Sequence, residues 1–555
     1  MRGDPPVDRG IDTPRHDTIR LLRGDDARPI LLGHLPIRKD GYGSSSELRQ
    51  YSLEDPGVQK YWDRVKASPV PCEFAAETFT PGGLVFGASG FGKSRFIKVL
   101  ADGWTSGGDY PGMRHLNLID PKSETHQIFA IDAAHRYLTA KDDEERRWIV
   151  DQIHVNDVLD DRFTPANLFD VPFGMRASLV ADVRANTALE AFRGESSELI
   201  EHGIRVLFHL ATSIGAGMTI ELVRAVMGDA HVRERILLPR IADEFLRERL
   251  RSIETTLPEQ TRAAVIRRFE VLLADRTARL LFGMSPWAFR LLTGRPRHPS
   301  ITLQNFGPSL VRAPHVAIAQ AMNAVVTAIT DSMVREEVLP EMLVTEETGQ
   351  LVRNSTVARY ILDASRTLRW KGIALVCCVQ DPTNAMPADV LHTIVLNARW
   401  LAAFQSLPTD AALFDPYLPT SSDLYWHNLH VGDGLTSVSQ SKRAFYTRMA
   451  SLPQQHLVFV RKGLSAFLMK TQTLIERATS PAARSELLDV FYRHVAAPSM
   501  VRYCDAEDVV ADETQRLLAG DLPVVSHDAE GAHTVEDFFA RADHAWSSGR
   551  AGRSS

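Results

Sequence analysis

Residues 87–94 read Gly-Ala-Ser-Gly-Phe-Gly-Lys-Ser, which satisfies the spacing G-x-x-x-x-G-K-[ST] at every fixed position. Gly87, Gly90 and Gly92 let the backbone curl until successive N–H groups face one concavity, and the helix that follows adds its positive end. That concavity fits a polyphosphate. Lys93 is then the charge on the β- and γ-phosphates and Ser94 a ligand of Mg²⁺, while Ala88, Ser89, Phe91 and Arg95 complete the nucleotide-binding set. A chance match in a chain of this length has a probability of about 1%, so a Gly-rich surface turn is the poorer reading.

Hydrolysis at such a loop needs a carboxylate near the metal and a second group to align or deprotonate water, both at the end of another apolar strand. The stretch EMLVTEETGQL offers them: Glu346 holds the metal directly or through water, and Glu347 polarises the attacking water. The competing reading is a solvated acidic turn. The next apolar run, GIALVCCVQ, ends in Gln380, whose amide can hydrogen-bond the γ-phosphate or that water. Arg366 and Arg369, just before this run, are either ordinary surface charges or fingers that enter a neighbouring subunit's site.

These groups have to be carried by strands and helices, and the chain has the material for them. It has 555 residues, 44% apolar, 24% charged and 8% aromatic, a globular mixture large enough for two or three structural units. GGLVF, HLNLID, ITLQNF, EMLVTE, GIALVCCVQ and TIVLN read as short buried strands alternating with helical stretches. That pattern predicts an α/β fold with a mainly parallel sheet. From about 181 to 295 long helical periodicity replaces the strand signals, as in SELIEHGIRVLFHLATS and EFLRERLRSIE. The expected organisation is an N-terminal module over 1–70 with a helix near Asp55–Lys66 and a P-loop core over 71–180 and 300–475. An all-helical insertion over 181–299 splits that core, and a helical C-terminal region with a frayed tail covers 476–555.

The net charge is −6, so no chain-wide positive field collects nucleic acid, and any DNA contact is local. Residues 181–300 carry eighteen Arg, no Lys and fifteen acids, a balance of +3, which reads first as a solvated helical surface. Cys72, Cys377, Cys378 and Cys504 suit reduced packing residues in a cytoplasmic protein better than a disulfide framework. The opening MRGDPPVDRG does not follow the pattern of a secretory signal, and no window offers the roughly 18 uninterrupted apolar residues of a membrane span.

Taken together, the motifs resemble those of the HerA/FtsK superfamily of ring-forming P-loop motor ATPases, in its HerA-like and type IV secretion/conjugation branches. IDPKSE (119–124) is similar to the Asp-Pro-Lys-x-Glu turn of those branches, TEETGQL (345–351) to their Asp-Glu-x-Gly-x-Leu with Glu346 in place of Asp, and R-x-x-R-x-x-G-I ending in Gln380 to their arginine and sensor segment. VLNARWLAAF (395–404) resembles the Asn-centred strand beyond the sensor and adds Arg399 as a further residue facing a neighbour's nucleotide. The likeness spans roughly 72–470. It implies a RecA-like core, ATP and Mg²⁺ as ligands, a homo-hexamer, and a translocase or helicase-like motor in DNA transfer, DNA processing or phage defence, with a nuclease or secretion system as partner. A motor for protein or pilus subunits, or a nucleotide-binding scaffold with little turnover, stays open.

Overall fold

The computed structural model describes residues 19–21, 30–34, 71–74, 78–80, 82–106, 114–165, 168–169, 171, 177–191, 197–293, 301–305, 341–353, 355–367, 373–417, 446–447, 449–461, 467–472, 474 and 476–521. The helix expected near Asp55–Lys66 lies outside them, as does Arg369. The chain divides into two compact units. The first comprises 1–153, 299–303 and 338–491, and the second 154–298, 304–337 and 492–555.

The first unit is built on a mixed sheet. Its strands are β1 (Ile19–Leu21), β2 (Ile30–His34), β3 (Pro71–Phe74), β4 (Gly82–Phe86), β5 (His115–Asp120), β6 (Ile301–Asn305), β7 (Glu341–Thr345), β8 (Ile373–Val379), β9 (Trp400–Ala403), β10 (His456–Arg461) and β11 (Phe467–Thr471). They run β1-β3-β2-β11-β10-β9-β4-β8-β7-β5-β6. The centre, β9-β4-β8-β7-β5, is parallel throughout, while β10 and β11 enter antiparallel. Every residue of β4, β7 and β8 is buried, as expected of strands covered on both faces.

Helix α1 (Lys93–Ser106) follows β4, α2 (Glu124–Thr139) follows β5, α3 (Ser355–Thr367) leads toward β8, and α4 (Ala388–Asn397) precedes β9. α4 corrects the strand expected at TIVLN. Its apolar residues Val390, Leu391, Ile394 and Val395 are buried together at helical spacing, while Leu396 is exposed. The β-branched pair Ile394 and Val395 imitates a strand, and Pro387 starts a helix instead. The strand begins at Trp400, whose indole is fully buried and occupies the space a side chain on Gly83 would need. A Cβ at Gly83 would stand only 2.2 Å from the ring, so glycine alone lets β4 and β9 meet there.

The described residues of the second unit are mostly helical over Ala177–Ala191, between Glu198 and Thr293, and again over Tyr503–Leu518. It holds its own core, with Phe208, Phe269, Leu207, Leu250, Met218 and Val510 buried in one cluster. Some of its helices start on side-chain caps: Thr219 accepts from the Leu222 amide, and Asp275 from the Ala278 amide.

Candidate functional site

Parallel strands deliver their C-terminal ends to one edge of a sheet, and the loops that leave those ends form the crevice where ligands bind in open α/β proteins. Here the end of β4 carries the Gly-rich loop, the end of β5 carries Asp120, the end of β7 carries Glu346 and Glu347, and the end of β8 carries Gln380. Pairing holds these tips level: Val379 is opposite Phe86, Thr345 opposite Cys377, and Ile119 opposite Thr345. The Glu346 amide also donates to the Ile119 carbonyl at 2.8 Å.

The loop is left-handed at each of its glycines, with φ of 134° at Gly87, 81° at Gly90 and 112° at Gly92. Neighbouring backbone latches it at two points. The Ala88 amide donates to the Gln405 carbonyl at 2.6 Å, and the Gln455 amide donates to the Phe91 carbonyl at 2.8 Å. The Lys93 ammonium donates to the carbonyls of Gly87 (2.6 Å) and Ala88 (2.9 Å). Burial lowers its pKa, against the pull of Glu346 and Glu347.

A cavity of about 850 Å³ opens beside the loop, within the usual size of small-molecule sites. Ser89, Gly90, Gly92, Lys93, Ser94, Arg95, Glu346, Glu347 and Gln380 all line it; Gly87, Ala88 and Phe91 do not, and act through their backbone contacts. Glu346 is buried and accepts a 2.6 Å hydrogen bond from the Thr125 hydroxyl. Burial and the nearby Asp120 push its pKa up to about 7. Glu347 sits at φ 47°, a left-handed conformation rare for a non-glycine residue. Its Oε1 accepts from Gln380 Nε2 at 2.6 Å and from Lys122 Nζ at 2.7 Å.

The arginines lie elsewhere. Arg399 donates its backbone N–H to the Gly82 carbonyl at 2.9 Å, at the start of β4, whereas the loop leaves the other end of that strand. Five residues at about 3.3 Å each separate the two by about 16 Å. Arg366 is exposed in the last turn of α3, and neither arginine lines the cavity.

The structure adds groups to which sequence reasoning gave no role. Lys122, Thr125 and Asp120 lie in or beside IDPKSE, whose family likeness was visible but whose contacts were not. The outer cavity is lined by Asp132, Gln454, Gln455, Gln472 and Arg477, with Lys98 bridging Asp102 (2.6 Å) and Asp132 (3.0 Å). No motif marks these residues, since they reach the wall from α1, α2 and the segments around β10 and β11. Among the described residues, no helix is long and apolar enough to cross a membrane.

No family model and no curated protein matches this chain. Among solved structures it is similar to the bacterial conjugative coupling protein TrwBdeltaN70, at 15% identity over 82% of this chain and 96% of that one, with a TM-score of 0.44. The plasmid coupling protein TrwB in complex with ADP and Mg²⁺ gives 15% identity, 82% and 97% coverage and the same TM-score of 0.44. VirB4 of Thermoanaerobacter pseudethanolicus gives 12% identity, 74% and 94% coverage and a TM-score of 0.46. Such values transfer neither a residue nor an activity. By its own topology the chain is an α/β protein with a Gly-rich phosphate-type loop on the central strand of a mainly parallel sheet.

Proposed function

We propose that this chain is a Mg²⁺-dependent ATPase that works as a ring-forming motor on DNA. The observation that carries the reading is the convergence of Lys93, Ser94, Glu346, Glu347 and Gln380 on one cavity from the tips of three adjacent parallel strands. The donor chemistry fits Mg²⁺. The Ser94 hydroxyl and the Glu346 carboxylate are hard oxygen ligands, and the buried, proton-retaining Glu346 is an acid whose ionisation a divalent cation would favour. Bound there, Mg²⁺ would neutralise charge on the phosphates.

The residues divide the remaining work. The loop amides and Lys93 bind the triphosphate, Glu347 accepts the proton of the attacking water, and Gln380 orients Glu347 and the water. Neither Arg366 nor Arg399 lines its own cavity, so a role for them in hydrolysis is assigned to a neighbouring subunit. DNA as the track, and the ring itself, rest on the likeness of the sequence motifs to the HerA/FtsK motors; the acidic net charge allows it, because only the inner loops of a ring need positive charge.

The test is ATP turnover by the wild type and by Lys93→Ala, with and without single- and double-stranded DNA, with particle mass measured alongside. Loss of turnover in Lys93→Ala and stimulation by DNA are expected. Native turnover in Lys93→Ala would overturn the assignment of hydrolysis to this loop and cavity, and turnover indifferent to DNA would transfer the motor to a protein cargo.

A further inference from the structure

The turn after β5 is rigid for reasons visible in its residues. Asp120 accepts the Lys122 amide on Oδ1 at 2.9 Å and the His126 amide on Oδ2 at 2.8 Å, so one carboxylate ties both ends of the turn. Pro121 restricts the backbone between them, and Ser123 closes the turn in the left-handed region at φ 66°. The effect is to hold Lys122 at a fixed place beside the tip of β7.

There it meets Glu347, which stands at the N-terminus of the short helix Thr348–Leu351 but makes no capping hydrogen bond to it. Both donors, Lys122 and Gln380, reach the same oxygen, Oε1. The other oxygen, Oε2, takes no hydrogen bond from a described residue. Glu347 and Gln380 line the cavity, and Lys122 does not. The Glu347 side chain is 15% exposed and that of Lys122 is 33% exposed, so the pair is partly shielded from water.

We infer that Lys122 is a positioning residue for hydrolysis: with Gln380 it clamps Oε1 of Glu347, so that Oε2 alone is presented to the water. This rests on the hydrolytic reading above. A carboxylate free to rotate about its terminal torsion offers water either oxygen in many orientations, and the left-handed backbone at Glu347 leaves the side chain without a local partner to stop it. Two donors on one oxygen remove that freedom. Lys122 supplies the charged one, which is the stronger of the two. Because it stands off the cavity wall, it acts only through Glu347 and adds nothing to nucleotide binding.

The experiment is a double-mutant cycle on Lys122→Met and Glu347→Gln, read by single-turnover ATP hydrolysis and by nucleotide affinity, with Lys122→Arg as the conservative variant. Lys122→Met is expected to lower the hydrolysis step by about 10- to 100-fold, the loss typical of one hydrogen bond to a charged group. Nucleotide affinity should stay within about twofold, and Lys122→Arg should restore most of the rate. Placed on Glu347→Gln, Lys122→Met should cost less than about threefold further, because the group it positions is gone. The same full loss in both backgrounds, or no loss in either, would overturn the inference. Amine labelling followed by mass spectrometry separates this from the function itself, since Lys122 should label faster in Glu347→Gln than in the wild type whether or not ATP is turned over. Equal labelling overturns the pairing, whereas a wild type that hydrolyses no ATP while the labelling differs overturns the ATPase reading alone.

Discussion

Replacing Thr125 by Val removes one hydroxyl and almost no volume from the wall behind Glu346, the acid proposed above for the metal. Thr125 is 1% exposed, Glu346 is 6% exposed, and the hydrogen bond between them is 2.6 Å long. A buried hydrogen bond to a charged group is worth about 1.5–3 kcal/mol, which at about 1.4 kcal/mol per decade is about 10- to 100-fold. The hydroxyl favours the carboxylate over the acid, so its loss raises the Glu346 pKa still further above its ordinary range. A metal must displace that proton, and the wild-type acid is already mostly ionised at pH 7.5, so the variant should need about 4- to 40-fold more Mg²⁺ for half-maximal ATP turnover at that pH. In the wild type the Mg²⁺ requirement should rise about tenfold per pH unit below about 7, where Glu346 holds its proton. The assay is turnover against Mg²⁺ at fixed ATP, with Thr125→Ser as the control that keeps the hydroxyl. An unchanged Mg²⁺ requirement in Thr125→Val, with the fold intact by circular dichroism, would refute the assignment of Glu346 to the metal.

Mixing Lys93→Ala protein with Arg366→Ala or Arg399→Ala protein should restore part of the turnover that each lacks alone. An intact loop on one subunit can then face an intact arginine on the next, and a finger is worth about 10³–10⁵ in turnover. No recovery from particles shown by mass photometry to be mixed would remove those arginines from the shared site. A second buried acid makes a prediction about stability. Glu513 accepts a hydrogen bond from the Ser285 hydroxyl, and burial lifts its pKa to about 7. The folded state therefore keeps a proton that the unfolded chain releases near its ordinary value. Stability is full below about pH 4.5, falls as pH rises toward about 7, and above that carries a constant cost of about 3 kcal/mol. Urea unfolding of Glu513→Gln should lack this slope, and parallel pH profiles for the variant and the wild type would contradict the buried-acid account.

Much of the site is legible in the residues alone. The spacing of Gly87, Gly90, Gly92, Lys93 and Ser94 is a local property, since glycine at those three positions permits the positive-φ backbone that the loop adopts between an apolar strand and a helix. Short apolar runs ending in Glu346 and Gln380 announce buried parallel strands with polar tips, and helical periodicity announces the long helices between Ala177 and Thr293. Local periodicity fails at 393–397, where β-branched residues pack one face of α4 and the strand waits until Trp400. Nor can it place residues far apart in sequence. Lys122 and Glu347 are 225 positions apart, and Thr125 and Glu346 are 221. Their meeting is decided by the order in which strands pair, which sets β5 beside β7 and β7 beside β8. The parallel direction of β9 beside β4 leaves Arg399 at the opposite end of the strands from the loop. Strand order is a property of the whole sheet's packing, and no window of sequence contains it.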